Sequence, residues 1–160
     1  MRPNRGFSLV ELVVTVAVLG VIAGIAFPNM REMILNGRVT TQTNELVAAL
    51  NFARSEAIKR GSEVSVCATD GAGLAGGWRI IPDANCAGAA APLVRHEALG
   101  DVVIKSGDVA AVRFTSRGGL VGGASVVMLL VPKDCPASSD RAREVSILGS
   151  GRIAVGRKPC

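Results

Sequence analysis

The sequence predicts an α+β chain: a long N-terminal α-helix, its first half membrane-spanning, packed on a C-terminal antiparallel β-sheet domain. Three observations predict it. From Phe7 to Phe27 the chain is apolar except for one charge, Glu11. From Pro28 to Arg60 apolar residues recur at helical spacing. Beyond Gly61 the chain breaks into short β-rich runs separated by Gly, Pro, Asp and Asn. The 160 residues leave room for one compact domain besides such a stem.

Composition narrows the functional classes. Hydrophobic residues make up 49% and charged residues 19%, more apolar surface than a soluble domain of this size needs, which suggests a membrane segment. Aromatics are 3% with no Tyr, so bases or sugars are not held mainly by stacking. The net charge is +5, and the single histidine, His96, leaves histidine-rich metal sites and most acid/base triads without parts. Ser8, Ser55 and Cys67 are the conceivable nucleophiles; none has a base, and His96 is expected as a solvent-facing strand residue. No enzymatic activity and no cofactor are expected.

Residues 1–6 form a short basic leader with Arg2 and Arg5. Residues 7–27 would extend roughly 32 Å as a helix, about the thickness of a bilayer core. A secretory signal would have a shorter apolar region followed by a small-x-small cleavage site. Here the small residue that stands out, Gly6, precedes the apolar run, so cleavage after it would retain the helix. A carboxylate near the start of a membrane helix is costly unless it snorkels to the interface or finds a cation. Glu11 therefore either sits at the interface or is neutralised by the amine released on Phe7, in its own helix or a neighbour. Gly20 and Gly24 form a G-x-x-x-G that permits close helix contact.

Residues 28–60 continue the helix, with Val39, Leu46, Leu50, Ala53 and Ala57 on one stripe that would pack on a sheet. Lys59 and Arg60 suit a helix C-terminus, and Gly61 is a stop signal. A helix from Phe7 to Arg60 would be about 80 Å long, so its first half is expected to project. In residues 61–160 the β-rich runs are Glu63 to Thr69, Gly77 to Ile81, Leu93 to Ala98, Val102 to Ser106, Ala111 to Ser116, Ser125 to Val131, and Arg143 to Val155 with a possible split at Gly149-Ser150-Gly151. Glycine pairs at 76–77, 118–119 and 122–123 mark turns or bulges. No phosphate-loop pattern accompanies them.

The four cysteines, Cys67, Cys86, Cys135 and Cys160, lie in the part expected outside the cytoplasm, where disulfides form. Three connectivities are open. Cys67–Cys86 and Cys135–Cys160 are favoured because each closes a local loop. A zinc site is the rival, disfavoured by the lack of a C-x-x-C pair; no metal is expected.

The run Gly6-Phe7-Ser8-Leu9-Val10-Glu11 before an apolar helix resembles the class III signal of type IV prepilins and secretion pseudopilins. The resemblance implies that a prepilin peptidase cuts after Gly6, that the amine of Phe7 is methylated, and that Glu11 neutralises the N-terminus of an adjacent subunit during assembly. Pro28 at the helix exit matches the usual proline of that family. Asn44-Glu45-Leu46, the stretch Phe52-Ala53-Arg54-Ser55-Glu56-Ala57 and Arg60 are similar to the helix signature of the GspH/FimT group of minor pilins and pseudopilins. Membership implies a type IV pilin-like fold, an inner-membrane stage before assembly into an extracellular filament, and partners among other minor and major pilins and the inner-membrane assembly platform. A minor pilin of a type IV pilus is the leading reading, and a GspH-like pseudopilin of a type II secretion system the alternative.

The C-terminal end is cationic: Arg152, Arg157 and Lys158 carry it, with Arg141, Arg143 and Arg117 as candidates nearby. Such a set either keeps a solvated face soluble or neutralises phosphates of double-stranded DNA without reading sequence. The resemblance implies a role of this kind, since in some bacteria FimT-like minor pilins act in natural transformation, binding incoming DNA through a C-terminal glycine-arginine-x-arginine motif and neighbouring basic residues. Gly151-Arg152-Ile153-Ala154 matches its first half, Ala154 standing where the second arginine would be. Gly156-Arg157-Lys158 offers replacement charge.

Overall fold

The structure, a computed structural model, describes residues 7–88, 90–137 and 139–160, with side chains at 25–29 and 31–32 left undescribed. One helix, α1, covers Leu9–Arg60. Two compact units divide the chain, the first ending at Leu35 and the second running from Asn36 to Cys160.

In the first unit the apolar side chains from Leu9 to Ile22 are almost all exposed, Leu9 at 78% and Val21 at 67%. Such a surface requires lipid or protein cover in place of water. Among the described residues no helix is long and apolar enough to cross a membrane. The expected span of 7–27 has described side chains only as far as Gly24.

The second unit is built on the predicted stripe. Val39, Leu46, Leu50, Ala53 and Ala57 are all fully buried, because steps of three, four and seven residues return to the same side of a helix. Each buried leucine contributes about 2 kcal/mol of transfer free energy. Thr43 shares the stripe and satisfies its hydroxyl by donating to the Val39 carbonyl at 2.7 Å. Glu56 accepts from Arg60 at 2.7 Å and pairs with Lys59 at 3.6 Å in the last turn. The helix stops at Gly61, whose φ is +65°, a conformation open to glycine without strain.

Eight strands follow: β1 Val64–Ala68, β2 Trp78–Ile81, β3 Val94–His96, β4 Val102–Ser106, β5 Ala111–Phe114, β6 Val126–Pro132, β7 Ala142–Ile147 and β8 Ile153–Lys158. They form two antiparallel four-stranded sheets, ordered β3-β2-β1-β5 and β4-β6-β7-β8. Every predicted run contains a strand, and the last is split into β7 and β8 by the turn at Leu148–Arg152. There the Gly151 N–H donates to the Leu148 carbonyl at 2.7 Å and the Leu148 N–H to the Arg152 carbonyl at 2.9 Å. One core joins the helix stripe to both sheets through Val66, Trp78 and Phe114 from the first and Met128, Leu130 and Val145 from the second. Disulfides Cys67–Cys86 and Cys135–Cys160 are formed. The first ties β1 to the loop after β2, and the second fastens Cys160 beside the loop after β6.

Candidate functional site

The processing residues sit at the start of the first unit. Gly6 lies outside the described residues. Phe7 is exposed, and Glu11 occupies the first turn of α1, where the helix dipole favours a negative charge. Gly20 and Gly24 have open space around the position of a Cβ, so a second helix backbone can approach there closely.

The predicted basic set does not form one cluster. Arg152 stands in the β7–β8 turn, while Arg157 and Lys158 end β8, five residues further along an extended strand, roughly 16 Å away. Arg117 belongs with Arg152. It sits in the turn Thr115–Gly119, which is closed by the Thr115 N–H donating to the Gly119 carbonyl at 2.8 Å. The neighbouring Gly118 carbonyl accepts from Arg54 Nε at 2.9 Å. Gly151 packs against that same carbonyl, leaving no room for a side chain, and its φ is +79°. The Gly151-Arg152 pair is thus held against the Arg117 turn by a contact only glycine permits.

At the other end of β8, strand register places Arg143 opposite Arg157 and Glu144 opposite Gly156. Arg143 and Arg157 share the face that carries buried Val145, and Arg143 donates to Thr40 Oγ1 at 3.3 Å and to the Ala142 carbonyl at 3.1 Å. Burial, followed by the nearby Arg157 charge, lowers the pKa of Arg143 from its ordinary value. Lys158 projects from the opposite face and pairs with Glu144 at 3.6 Å. Arg141 flanks β7 and is engaged in contacts of its own. Among the described residues Arg117, Arg152 and Arg157 form no ion pair. The turn end and the strand end are therefore two cationic positions.

The expectation of a solvent-facing His96 is corrected. Its ring stacks on Trp78 with centroids 4.0 Å apart and planes 3° from parallel, and Nε2 lies 3.0 Å from Glu45 Oε2 on α1. Register places His96 directly opposite Trp78 across β2 and β3, which turns it inward over the one tryptophan. Together with Phe52 and Val94 these residues line a shallow apolar cavity of about 290 Å³. Among the described residues no three or more histidine, cysteine and carboxylate side chains come together in a group that could hold a metal ion.

An N-terminal helix with an exposed apolar first part, its second part buried under antiparallel sheets, defines a pilin-like subunit. Comparison with known proteins gives the particular family. The family described as "Type II transport protein GspH" matches residues 42–151, and the "Prokaryotic N-terminal methylation motif" matches residues 1–27. The chain belongs to the GspH family and carries the methylation motif. A fimbrial protein of Pseudomonas aeruginosa is 38% identical over 69 residues, 43% of this chain and 44% of that protein. A type IV major alpha-pilin of Moraxella bovis is 35% identical over 48 residues, 30% of each chain. The chain thus aligns with less than half the length of these relatives. The crystal structure of the type IV minor pilin FimU of Pseudomonas aeruginosa is similar with a TM-score of 0.65 at 25% identity, covering 75% of this chain and 89% of that one.

The sequence offered no direct sign of the Arg54–Gly118 bond or of the Glu45–His96–Trp78 contact. The only signal for Arg54 was its place in the Ala53–Ala57 signature, and both contacts join residues remote in sequence.

Proposed function

We propose that this chain is a minor subunit of a type IV pilus, a structural protein that performs no chemistry of its own. The observation that carries the reading is the combination, in one chain, of an N-terminal methylation motif with a two-sheet domain similar to the minor pilin FimU. Prepilin peptidase removes residues 1–6, Phe7 is methylated, and residues 7–27 anchor the subunit in the inner membrane until the assembly platform moves it into the filament. There the exposed apolar surface from Leu9 to Ile22 is covered by the helices of other minor and major pilins. Glu11 neutralises a neighbouring N-terminal amine. A type II secretion pseudopilin is the second reading, favoured by the description of the family itself.

Mass spectrometry of the mature protein tests the processing. A methylated N-terminal Phe7 is expected, and a product beginning beyond Phe27 would refute it. Deletion of the gene separates the two assemblies: loss of pili and twitching supports the first reading, whereas loss of exoprotein secretion with pili intact supports the second. Glu11→Leu is expected to leave the subunit in the membrane fraction and out of sheared filaments.

Non-specific binding of double-stranded DNA, for uptake in natural transformation, is a further activity within this reading. Exposed Arg117, Arg152 and Arg157, with no carboxylate partner among the described residues, support it. Their division between two positions predicts a shallow footprint along the backbone and binding that weakens steeply with salt. A gel shift at low salt with the chain from Asn36 onward tests it. No shift, or a shift unchanged by neutralising Arg152, Arg157 and Lys158 together, would refute the activity.

A further inference from the structure

β8 is the outer strand of its sheet, and it is exposed on both faces along almost its whole length. The turn bond from the Leu148 N–H to the Arg152 carbonyl sets the alternation of the ladder. In an antiparallel pair hydrogen-bonded positions recur every second residue, so Ala154, Gly156 and Lys158 exchange bonds with β7. The N–H and C=O groups of Ile153, Val155 and Arg157 then point away from the sheet. Among the described residues nothing pairs with them.

Soluble proteins guard such edges with prolines, bulges or charge. The register of β7 and β8 runs without a shift, and no proline lies within β8, so neither of the first two devices is present. Charge is present, and all of one sign: Arg152 before the strand, Arg157 and Lys158 at its end. Gly156 is a second sign. Its φ is not positive, and open space surrounds the position its Cβ would take, so neither backbone conformation nor packing within the fold calls for glycine. A bare strand position of this kind suits close approach by another backbone.

We infer that the free edge of β8 is a strand-addition site for an extended, acidic segment of another protein. The segment would accept and donate main-chain hydrogen bonds at Ile153, Val155 and Arg157, with side-chain preference set by alternate positions. An apolar residue beside Val155, which is 46% exposed, would continue the inner face. A carboxylate beside Arg157 would meet a cation with no ion pair among the described residues, and one beside Lys158 would share a cation that Glu144 already pairs at 3.6 Å. A second copy of this chain fits poorly: β8 paired antiparallel to itself about Val155 sets Lys158 against Arg152, like charges directly opposed. The inference goes beyond subunit identity and is distinct from DNA binding, which would share the Arg157 and Lys158 charges but makes no use of the main-chain edge.

The test uses the full chain in detergent micelles and a fluorescein-labelled, end-capped peptide of sequence Glu-Glu-Thr-Val-Thr-Val, read by polarisation. Val155→Pro removes an outward N–H without removing a bond to β7, a position where an edge strand tolerates proline. It is expected to weaken peptide binding by at least about tenfold, while Val155→Thr, which keeps the N–H, stays within about twofold. Replacing the two glutamates of the peptide by lysines is expected to abolish binding. Amide exchange of the unaltered chain gives a reading that does not depend on any variant folding: peptide should slow exchange at Ile153, Val155 and Arg157. Failure of the acidic peptide to bind, equal binding of the lysine peptide, or unchanged exchange at those three amides would overturn the inference. A DNA gel shift unaltered by Val155→Pro alongside lost peptide binding would separate it from the phosphate reading.

Discussion

Replacing Gly151 by alanine tests the contact that holds the β7–β8 turn against the Arg117 turn. Two costs add. An L-residue at φ +79° loses about 1–2 kcal/mol in the left-handed region. The new methyl would also overlap the Gly118 carbonyl oxygen and lie 3.0 Å from Arg54 Nε. Neither neighbour yields easily, since that carbonyl accepts the 2.9 Å bond from Arg54; overpacking of this kind costs about 1–3 kcal/mol. The expected loss is about 3 kcal/mol, lowering Tm by about 12 °C for a unit of this size. Urea and thermal unfolding of the chain from Asn36 onward, which contains the whole buried core, measure it. Gly156→Ala is the control, since it meets open space and should change stability by less than about 0.5 kcal/mol. If Gly151→Ala proves as stable as the parent, the turn-to-turn contact is not a constraint and the placement of Arg152 beside Arg117 loses its basis.

Three further outcomes follow from the same physical account. Leu50→Ala empties a fully buried position on the helix stripe and should cost about 2–5 kcal/mol in urea unfolding, whereas Phe52→Ala, at a residue 40% exposed, should cost clearly less. Converting Cys135 and Cys160 together to serine opens a loop closed across a separation of 25 residues and should lower stability by about 3 kcal/mol, read as a shift of the urea midpoint. The Arg60 hydrogen bond holds the Glu56 carboxyl below its ordinary value of 4.5, with the Lys59 and Arg60 charges adding to it. Because the folded-state value is depressed, its contribution is complete above pH 4.5 and is lost as pH falls through the lowered value. Arg60→Gln should move the Glu56 titration upward by NMR, and an unmoved curve would refute the assignment.

The helix was legible because its signal is local and periodic: the spacing of Val39, Leu46, Leu50, Ala53 and Ala57 determines a common side before any partner is known. The strands were legible for a similar reason, since Gly77, Gly118 and Gly122 mark backbone conformations that interrupt β structure, and the structure gives each a positive φ. The division into two sheets was not legible. It depends on which remote strands pair, and nothing near β5 or β6 in sequence records that they belong to different sheets. The basic set shows the same limit. Arg152, Arg157 and Lys158 are close in sequence, so they read as one patch, but an extended strand separates its ends and alternates its faces. Arg117, distant in sequence, is brought to Arg152 by the Gly118–Gly151 contact. His96 misled because a three-residue strand has too little alternation to assign a face, and only its register against Trp78 turns it inward.

The pairing of Trp78 with His96 also gives the molecule a built-in optical label. With one tryptophan and no tyrosine in the chain, emission excited at the red edge of the ultraviolet comes from a single indole, and that indole lies under the outermost strand of its sheet where it meets α1. Lifting of β3 from the helix, whether by detergent, by a neighbouring subunit or by incorporation into a fibre, would be visible in native protein with no dye and no engineered residue.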